Sequence, residues 1–116
     1  MKFKTVLAAS LLALGVLGAA TPALAMDVRM FVRHEVADYA TWRKAYDGFR
    51  AMQTKMGVIA QAVYQSTDDP NDVTVIHDFH SLEKAKAFAA SPELKAAMEK
   101  AGVKGAQIWY TTKRTK

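Results

Sequence analysis

Apolar side chains recur at three- and four-residue steps in two stretches of the chain, which is the pattern of a helix that buries one face. The first stretch predicts a helix over residues 39–56, with Asp38 as N-cap and Gly57 at its C-terminal end. Its apolar face comprises Tyr39, Trp42, Tyr46, Phe49, Met52 and Met56. The second stretch predicts a helix that begins at Leu82 after a Ser81 cap, restarts at Ser91-Pro92 and ends at Gly102. Its apolar face comprises Leu82, Ala85, Phe88, Ala89, Leu94, Met98 and Ala101.

Four other stretches are rich in β-branched and aromatic residues and predict strands. They cover residues 28–35, 58–66, 73–79 and 106–112, and the turn-forming residues 67–72 join the middle two as a hairpin. The resulting order is βαββαβ, so we expect an α+β, ferredoxin-like fold with a four-stranded antiparallel sheet and both helices on one face. The other face would be bare, and a second copy of the chain would cover it, which predicts a homodimer.

Strand alternation separates the histidines of this fold. His34 shares its strand parity with Val28, Met30 and Val32, which predicts that it faces the helices. His77 and Phe79 share one face of the third strand, while Asp78 and His80 take the other. His77 and His80 therefore cannot chelate one metal ion from a regular strand, and we expect no metal site.

The first and third strands are neighbours in this fold. If their ends align, His34 lies opposite Val73 and His77 opposite Met30. The two imidazoles are then roughly 13 Å apart along the sheet and do not touch. On the other face, we expect Arg33 and Asp78 to form an ion pair within or between subunits.

Residues 1–25 have the pattern of a secretory signal peptide. Lys2 and Lys4 precede an apolar stretch over residues 6–20, which is short for a membrane span, and Ala23 and Ala25 occupy the positions of a cleavage site. We expect cleavage after Ala25, a domain over residues 26–116, no membrane attachment after cleavage, and a periplasmic or secreted location.

Composition adds two constraints. The sixteen basic and eleven acidic side chains give a net charge of +5, and two of the basic residues lie in the predicted signal peptide. This balance is too mild to indicate nucleic-acid binding. The chain has no cysteine, so disulfides cannot stabilise it. A domain of this size gains from the extra burial that a dimer provides.

Three segments, "HEVADYATWRKAYD" (34–47), "DDPNDVTVIHDF" (68–79) and "SLEKAKAFAASPELKAAMEKAGV" (81–103), resemble the small antibiotic-biosynthesis-monooxygenase-like or cyclase-like proteins of the dimeric α+β barrel superfamily. The resemblance implies that fold and a range of activities: cofactor-free oxygenases, lactone isomerases, haem-degrading enzymes and proteins of unknown role. The haem-degrading members place Asn, Trp and His where this chain has His34, Phe79 and Met98. Haem degradation by that route is therefore not expected.

The sequence predicts a small apolar or aromatic ligand between the helices and the sheet. His34 and His77 are the candidate catalytic residues, because an imidazole is the natural proton acceptor near neutral pH. The candidate ligand-binding residues are Trp42, Tyr46, Phe49, Phe79 and Met98. These residues fit a cofactor-independent monooxygenase, cyclase or isomerase. They equally fit a non-catalytic periplasmic ligand-binding or stress-related protein, or a fully packed core without a pocket.

Overall fold

The computed structural model describes residues 27–114, which form a four-stranded antiparallel sheet with helices on one face. The predicted signal peptide lies outside the described residues. The strands are β1 (Val28–Glu35), β2 (Ala60–Gln65), β3 (Asp72–Phe79) and β4 (Lys104–Thr112). The helices are α1 (Tyr39–Gly48), α2 (Arg50–Lys55), α3 (Leu82–Ala89) and α4 (Pro92–Lys100). The strand order β2-β3-β1-β4 confirms the predicted ferredoxin-like fold.

The helix starts follow the predicted capping residues. The side chains of Asp38, Ser81 and Ser91 each accept a hydrogen bond from a backbone N–H three residues on. Pro92 occupies the start of α4, where its missing N–H costs nothing. Gly57 follows α2 with a φ of 103°, a backbone conformation that glycine adopts without strain.

The single helix predicted over residues 39–56 is wrong, because the chain breaks it at Phe49 into α1 and α2. Gly48 is a weak helix former at this point. The break rotates the following turn, so Gln53 is buried with 1% of its surface exposed while Met52 is only half-buried. The helical stripe predicted from the sequence therefore holds as far as Phe49 and then shifts by one position.

The central strands pair in the predicted register. His34 lies opposite Val73, and Met30 lies opposite His77. On its other side, β1 pairs with β4, and the register shifts between Arg33 and Glu35. This bulge leaves His34 without a paired residue on β4.

The inner face of the sheet carries the core and the outer face carries ion pairs. Buried and more exposed residues alternate along both β1 and β3. The inner set packs against the helices as one apolar cluster that includes Met30, Val75 and Phe88. Leu82, placed on the apolar face from the sequence, is 43% exposed because it begins its helix at the rim. Within residues 27–114, no helix is long and apolar enough to span a membrane.

The ion pairs of the outer face differ from the predicted one. Asp78 contacts Arg29 through two hydrogen bonds of 2.8 and 3.0 Å, and Asp72 contacts Arg33 through two of 3.0 and 2.6 Å. The register explains this, since Arg29 lies directly opposite Asp78 and Arg33 is diagonal to Asp72. The expected pair between Arg33 and Asp78 is therefore wrong within one subunit, and a pair between subunits stays a prediction.

Candidate functional site

A partly open cavity lies between the inner face of the sheet and helices α1, α3 and α4. The centre of a water-sized sphere can occupy about 50 Å³ of it, and its walls are mostly carbon. The sheet contributes Met30, Val32, His34, Val75 and His77 to the wall. The helical side contributes Trp42, Ala45, Tyr46, Phe49, Phe88, Leu94, Ala97, Met98 and Ala101.

Most of the site residues predicted from the sequence meet at this cavity. They are His34, His77, Trp42, Tyr46, Phe49 and Met98. Phe79 does not line it. Phe79 lies two residues beyond His77 on β3, is completely buried, and packs its ring 5.5 Å from that of Phe88. The roles proposed for these residues in binding and catalysis stay predictions.

His77 is held at the cavity wall by a neighbouring tyrosine and a phenylalanine. Its Nε2 lies 2.8 Å from the Tyr46 hydroxyl, and the planes of the two rings are nearly parallel. The rings of His77 and Phe88 lie edge to face, with their centroids 5.3 Å apart. Burial lowers the pKa of His77 to about 4 and raises the pKa of Tyr46 to about 12. Both groups are therefore neutral near pH 7.

Two residues that the sequence reasoning missed extend this contact to the surface. The side-chain amide of Gln61 lies 2.6 Å from the Tyr46 hydroxyl. Its other end faces the guanidinium of Arg50, including Nη2 at 2.9 Å. Gln61 stands directly opposite His77 in the β2–β3 ladder, so Tyr46 reaches both from α1. No pattern in the sequence indicates this contact between a loop-flanking helix and an edge strand.

His34 occupies the other end of the cavity with fewer polar contacts. The rings of His34 and Trp42 lie edge to face with their centroids 5.6 Å apart, and the Nδ1 of His34 has no hydrogen-bond partner among the described residues. Burial lowers the pKa of His34 from its ordinary value. His34 also borders an open polar groove at the end of the sheet, where Asp72 and Lys104 contribute to the wall.

Among the described residues, side chains that could bind a metal ion do not cluster at the cavity. Across residues 27–114, no group of three or more His, Asp or Glu side chains is close enough to hold an ion. His80 points away from the cavity, as its strand parity predicts, and lies 3.2 Å from Asp27 on the surface. The titratable groups that line the cavity are two imidazoles and a phenol, in an apolar setting.

Each imidazole has one ring nitrogen that no group in the described part of the chain satisfies. The Nδ1 atoms of His34 and His77 are both buried and lack a partner within the described part of the chain. A buried polar atom of this kind is costly unless something binds it. Together with the carbon walls, these two atoms suit a flat apolar molecule that carries a polar group.

Fold and cavity together define a ferredoxin-like α+β protein with an apolar space between helices and sheet. The chain belongs to the antibiotic biosynthesis monooxygenase family, because the model of that family matches residues 24–100. No curated protein matches the chain.

Solved structures resemble this chain in fold. SnoaB, a cofactor-independent oxygenase from Streptomyces nogalater, superimposes with a TM-score of 0.67 over 79% of this chain and 97% of its own, at 15% sequence identity. A conserved protein from Methanosarcina mazei superimposes with a TM-score of 0.63 over 81% of this chain and 99% of its own, also at 15% identity. At such identities the likeness shows the shared fold alone.

Proposed function

We propose that the protein binds a small, flat, mostly apolar molecule in the cavity and acts on it as a cofactor-independent monooxygenase or isomerase. The observation that carries this proposal is the carbon-walled cavity lined by His34 and His77, each of which has a buried ring nitrogen without a hydrogen-bond partner among residues 27–114. His34 is our candidate for the proton acceptor, since its ring is not engaged by another side chain through a hydrogen bond. Family membership and the activity of SnoaB agree with this choice of reaction.

The lowered pKa values of His34 and His77 determine which substrates these imidazoles can deprotonate. A buried imidazole that is neutral at pH 7 is ready to accept a proton, but it is a weak base. It suits substrates such as phenols or lactones, whose anions spread their charge over a conjugated system. In an oxygenase of this type the substrate anion itself supplies the electrons that reduce O₂.

Ligand entry requires the cavity to expand. An engineered protein cavity that binds benzene has a volume of about 150 Å³, three times the 50 Å³ found here. The most easily displaced wall is α4, because none of its residues is buried, whereas α3 buries Ala85 and Phe88. We infer that α4 moves away from the sheet when a ligand binds.

Filling the cavity from α4 tests this function without touching a polar group. Ala97 lines the cavity, while its neighbour Ala96 is exposed on the same helix. Small phenols, quinols and lactones would be screened for a rise in melting temperature and for turnover, with O₂ consumption measured by an oxygen electrode. Compounds that stabilise the wild type should lose their effect on Ala97→Phe and keep it on Ala96→Phe.

The result against the proposal is equally specific. If no compound acts on the wild type, or if Ala97→Phe responds as the wild type does, the cavity is not the ligand site. Ala97→Leu serves as a milder filling variant should the larger ring destabilise the fold. Loss of binding in Ala97→Leu with Ala96→Leu unaffected would support the same conclusion.

The second candidate function is binding without catalysis, in a periplasmic ligand-binding or stress-related protein. The strongly lowered pKa of His77, about 4, favours it, because such an imidazole makes a poor base but a good hydrogen-bonding group. The screen separates the two candidates. Compounds that raise the melting temperature of the wild type and are recovered unchanged would indicate a binding protein.

We further propose that the protein acts as a homodimer joined through the outer face of the sheet. The face exposes Tyr64 and Trp109 to 56% and 43%, and Trp109 stacks on Phe31 at 5.3 Å. Exposed aromatic groups of this kind are typical of interfaces. Light scattering should give twice the monomer mass, and a monomer would contradict the proposal.

Export to the periplasm or the medium is proposed from the sequence pattern of residues 1–25. Mass spectrometry of the protein recovered from those fractions should then show Met26 as its first residue. A full-length chain in the membrane fraction would contradict it.

A further inference from the structure

Arg50 stands at the surface end of a chain of hydrogen bonds that reaches His77. About half of the Arg50 side chain is exposed, and its guanidinium faces the side-chain amide of Gln61. A guanidinium has five N–H donors, no acceptor, and a permanent charge. Gln61 must therefore turn its oxygen toward Arg50, where it accepts from Nε and Nη2.

This orientation fixes the next two hydrogen bonds. With its oxygen toward Arg50, Gln61 presents its amide nitrogen to the Tyr46 hydroxyl at 2.6 Å and donates to it. Gln53 also hydrogen-bonds the hydroxyl, and this contact by itself lowers the pKa of Tyr46, as a donor does. The hydroxyl has one proton, and the acceptor that remains for it is His77 Nε2 at 2.8 Å. Tyr46 therefore donates that proton to Nε2. A neutral imidazole carries one hydrogen, so the hydrogen of His77 must lie on Nδ1.

We propose that Arg50, acting through Gln61 and Tyr46, holds His77 in the tautomer with its hydrogen on Nδ1, and that this hydrogen binds a carbonyl or phenolate oxygen of the ligand. Arg50 and Gln61 are thus positioning residues that touch no ligand. The tautomer follows from the protein alone. Only the assignment of the ligand oxygen rests on the proposed function.

Two observations connect this donor to the cavity. His77 lines the cavity, and its Nδ1 is buried without a partner among residues 27–114. A ligand oxygen that accepts from Nδ1 recovers the hydrogen bond that the protein leaves unmade. When the ligand loses a proton to His34, negative charge grows on that oxygen, and a fixed donor stabilises it. The two histidines then have different tasks, acceptor and donor.

Gln61→Glu reverses the direction of the hydrogen bonds from residue 61 through Tyr46 to His77, and it changes only the side-chain amide to a carboxylate. A carboxylate accepts from both Arg50 and Tyr46, so the hydroxyl proton of Tyr46 turns toward residue 61. His77 must then donate from Nε2 to the hydroxyl, and its Nδ1 becomes an acceptor. Long-range ¹H–¹⁵N correlation spectra of ¹⁵N-histidine-labelled protein distinguish a ring nitrogen that carries hydrogen from one that does not. We expect hydrogen on Nδ1 in the wild type and on Nε2 in Gln61→Glu.

Two arginine variants separate the hydrogen bond from the charge. Arg50→Met frees Gln61 to turn, so we expect a mixture of the two tautomers. Arg50→Lys keeps a donor and should restore the Nδ1 form. Arg43→Met is the matched control. Arg43 lies 5.6 Å over the ring of Tyr46 but makes none of the hydrogen bonds that link Arg50 to His77. It should leave the tautomer unchanged.

The ligand oxygen is tested with 1-indanone and indane, which share a ring skeleton and differ in one carbonyl group. The wild type should bind 1-indanone more tightly than indane by about three- to tenfold, the worth of one hydrogen bond. Gln61→Glu should lose that preference, because an acceptor then faces the carbonyl, while its affinity for indane should stay the same.

The outcomes that overturn the inference differ from those that overturn the proposed function. Hydrogen on Nε2 in the wild type, or an unchanged tautomer in Gln61→Glu, overturns the tautomer. The predicted tautomers with no binding of either compound overturn the ligand assignment and count against the cavity function. Equal binding of both compounds by the wild type overturns the donor role alone.

Discussion

The two ends of the cavity carry the same side chain in different hydrogen-bonding surroundings. At one end, His77 is bound through Nε2 by Tyr46, whose hydroxyl is in turn bound by Gln61. At the other end, the ring of His34 lies edge to face with that of Trp42, and a bulge on the β4 side leaves His34 without a paired residue on that strand. Both rings face the helices, and burial lowers the pKa of each.

The two histidines show that burial alone does not determine whether an imidazole acts as a hydrogen-bond donor or as an acceptor. Burial makes both imidazoles neutral at pH 7, and this leaves open which nitrogen carries hydrogen. The groups behind the ring decide that question. His77 has such a group and is committed to one form, while His34 has none on its Nδ1 side and can adapt to the ligand.

The largest difference between the ends should appear on truncation. His77→Ala removes the contact with Phe88 and leaves the Tyr46 hydroxyl proton without its acceptor, so we expect a loss of about 3 kcal/mol in the free energy of unfolding. His34→Ala breaks no hydrogen bond of Nδ1 and enlarges an existing cavity, so its loss should be about 1–2 kcal/mol. Urea unfolding at one fixed protein concentration measures both. Equal losses would mean that the hydrogen-bonded chain does not stabilise the His77 end.

A second difference should appear in the dependence of stability on pH. The folded-state pKa of His77, about 4, lies below its unfolded value, so the unfolded chain binds the proton first as pH falls. The contribution of His77 to the free energy of unfolding is therefore fully present above about pH 6.5, and it is lost as the pH falls toward 4. Between about pH 7 and pH 5 we expect this group to account for a loss of about 2 kcal/mol.

Matched glutamine variants locate the source of this pH dependence. His77→Gln should remove most of the change in urea midpoint between the two pH values, and His34→Gln should remove less of it. The same slope in both variants as in the wild type would place the titrating group elsewhere.

The smallest of these effects concerns a single hydroxyl. Tyr46→Phe leaves Gln61 and His77 without their shared partner and should lower the free energy of unfolding by about 1–2 kcal/mol. Tyr39 lies in the same helical stripe and is half-buried. Its hydroxyl is outside the hydrogen-bond chain from Arg50 to His77 and bonds instead to Arg43, whose side chain is partly exposed. Tyr39→Phe should therefore change stability by less than about 0.5 kcal/mol. Thermal unfolding of the two variants gives the comparison, and a larger effect at Tyr39 would contradict it.

Much of the fold followed from local rules in the sequence. Strand parity placed His34, His77 and Phe79 on the inner face, and end-to-end alignment of two strands gave the register opposite Val73 and Met30. Asp and Ser caps gave the helix starts. The break at Phe49 and the burial of Gln53 did not follow, because the apolar spacing continues through a break that tertiary packing imposes.

The candidate site could be predicted less completely. Parity and apolar spacing found both imidazoles and most of the cavity wall. They could not show that Phe79 lies beyond the cavity, since residues on one face share parity whether or not they border a space. The link from Arg50 to His77 was also missed. It depends on distances between side chains from α1, α2 and β2, which no spacing along one element encodes.

The most direct test of the account is a crystal structure of the protein with 1-indanone bound. We predict the ring system between α4 and the sheet, with α4 displaced outward, and the carbonyl oxygen about 3 Å from His77 Nδ1. The same compound found on the outer face of the sheet, or in the cavity with its oxygen turned away from His77, would contradict the account.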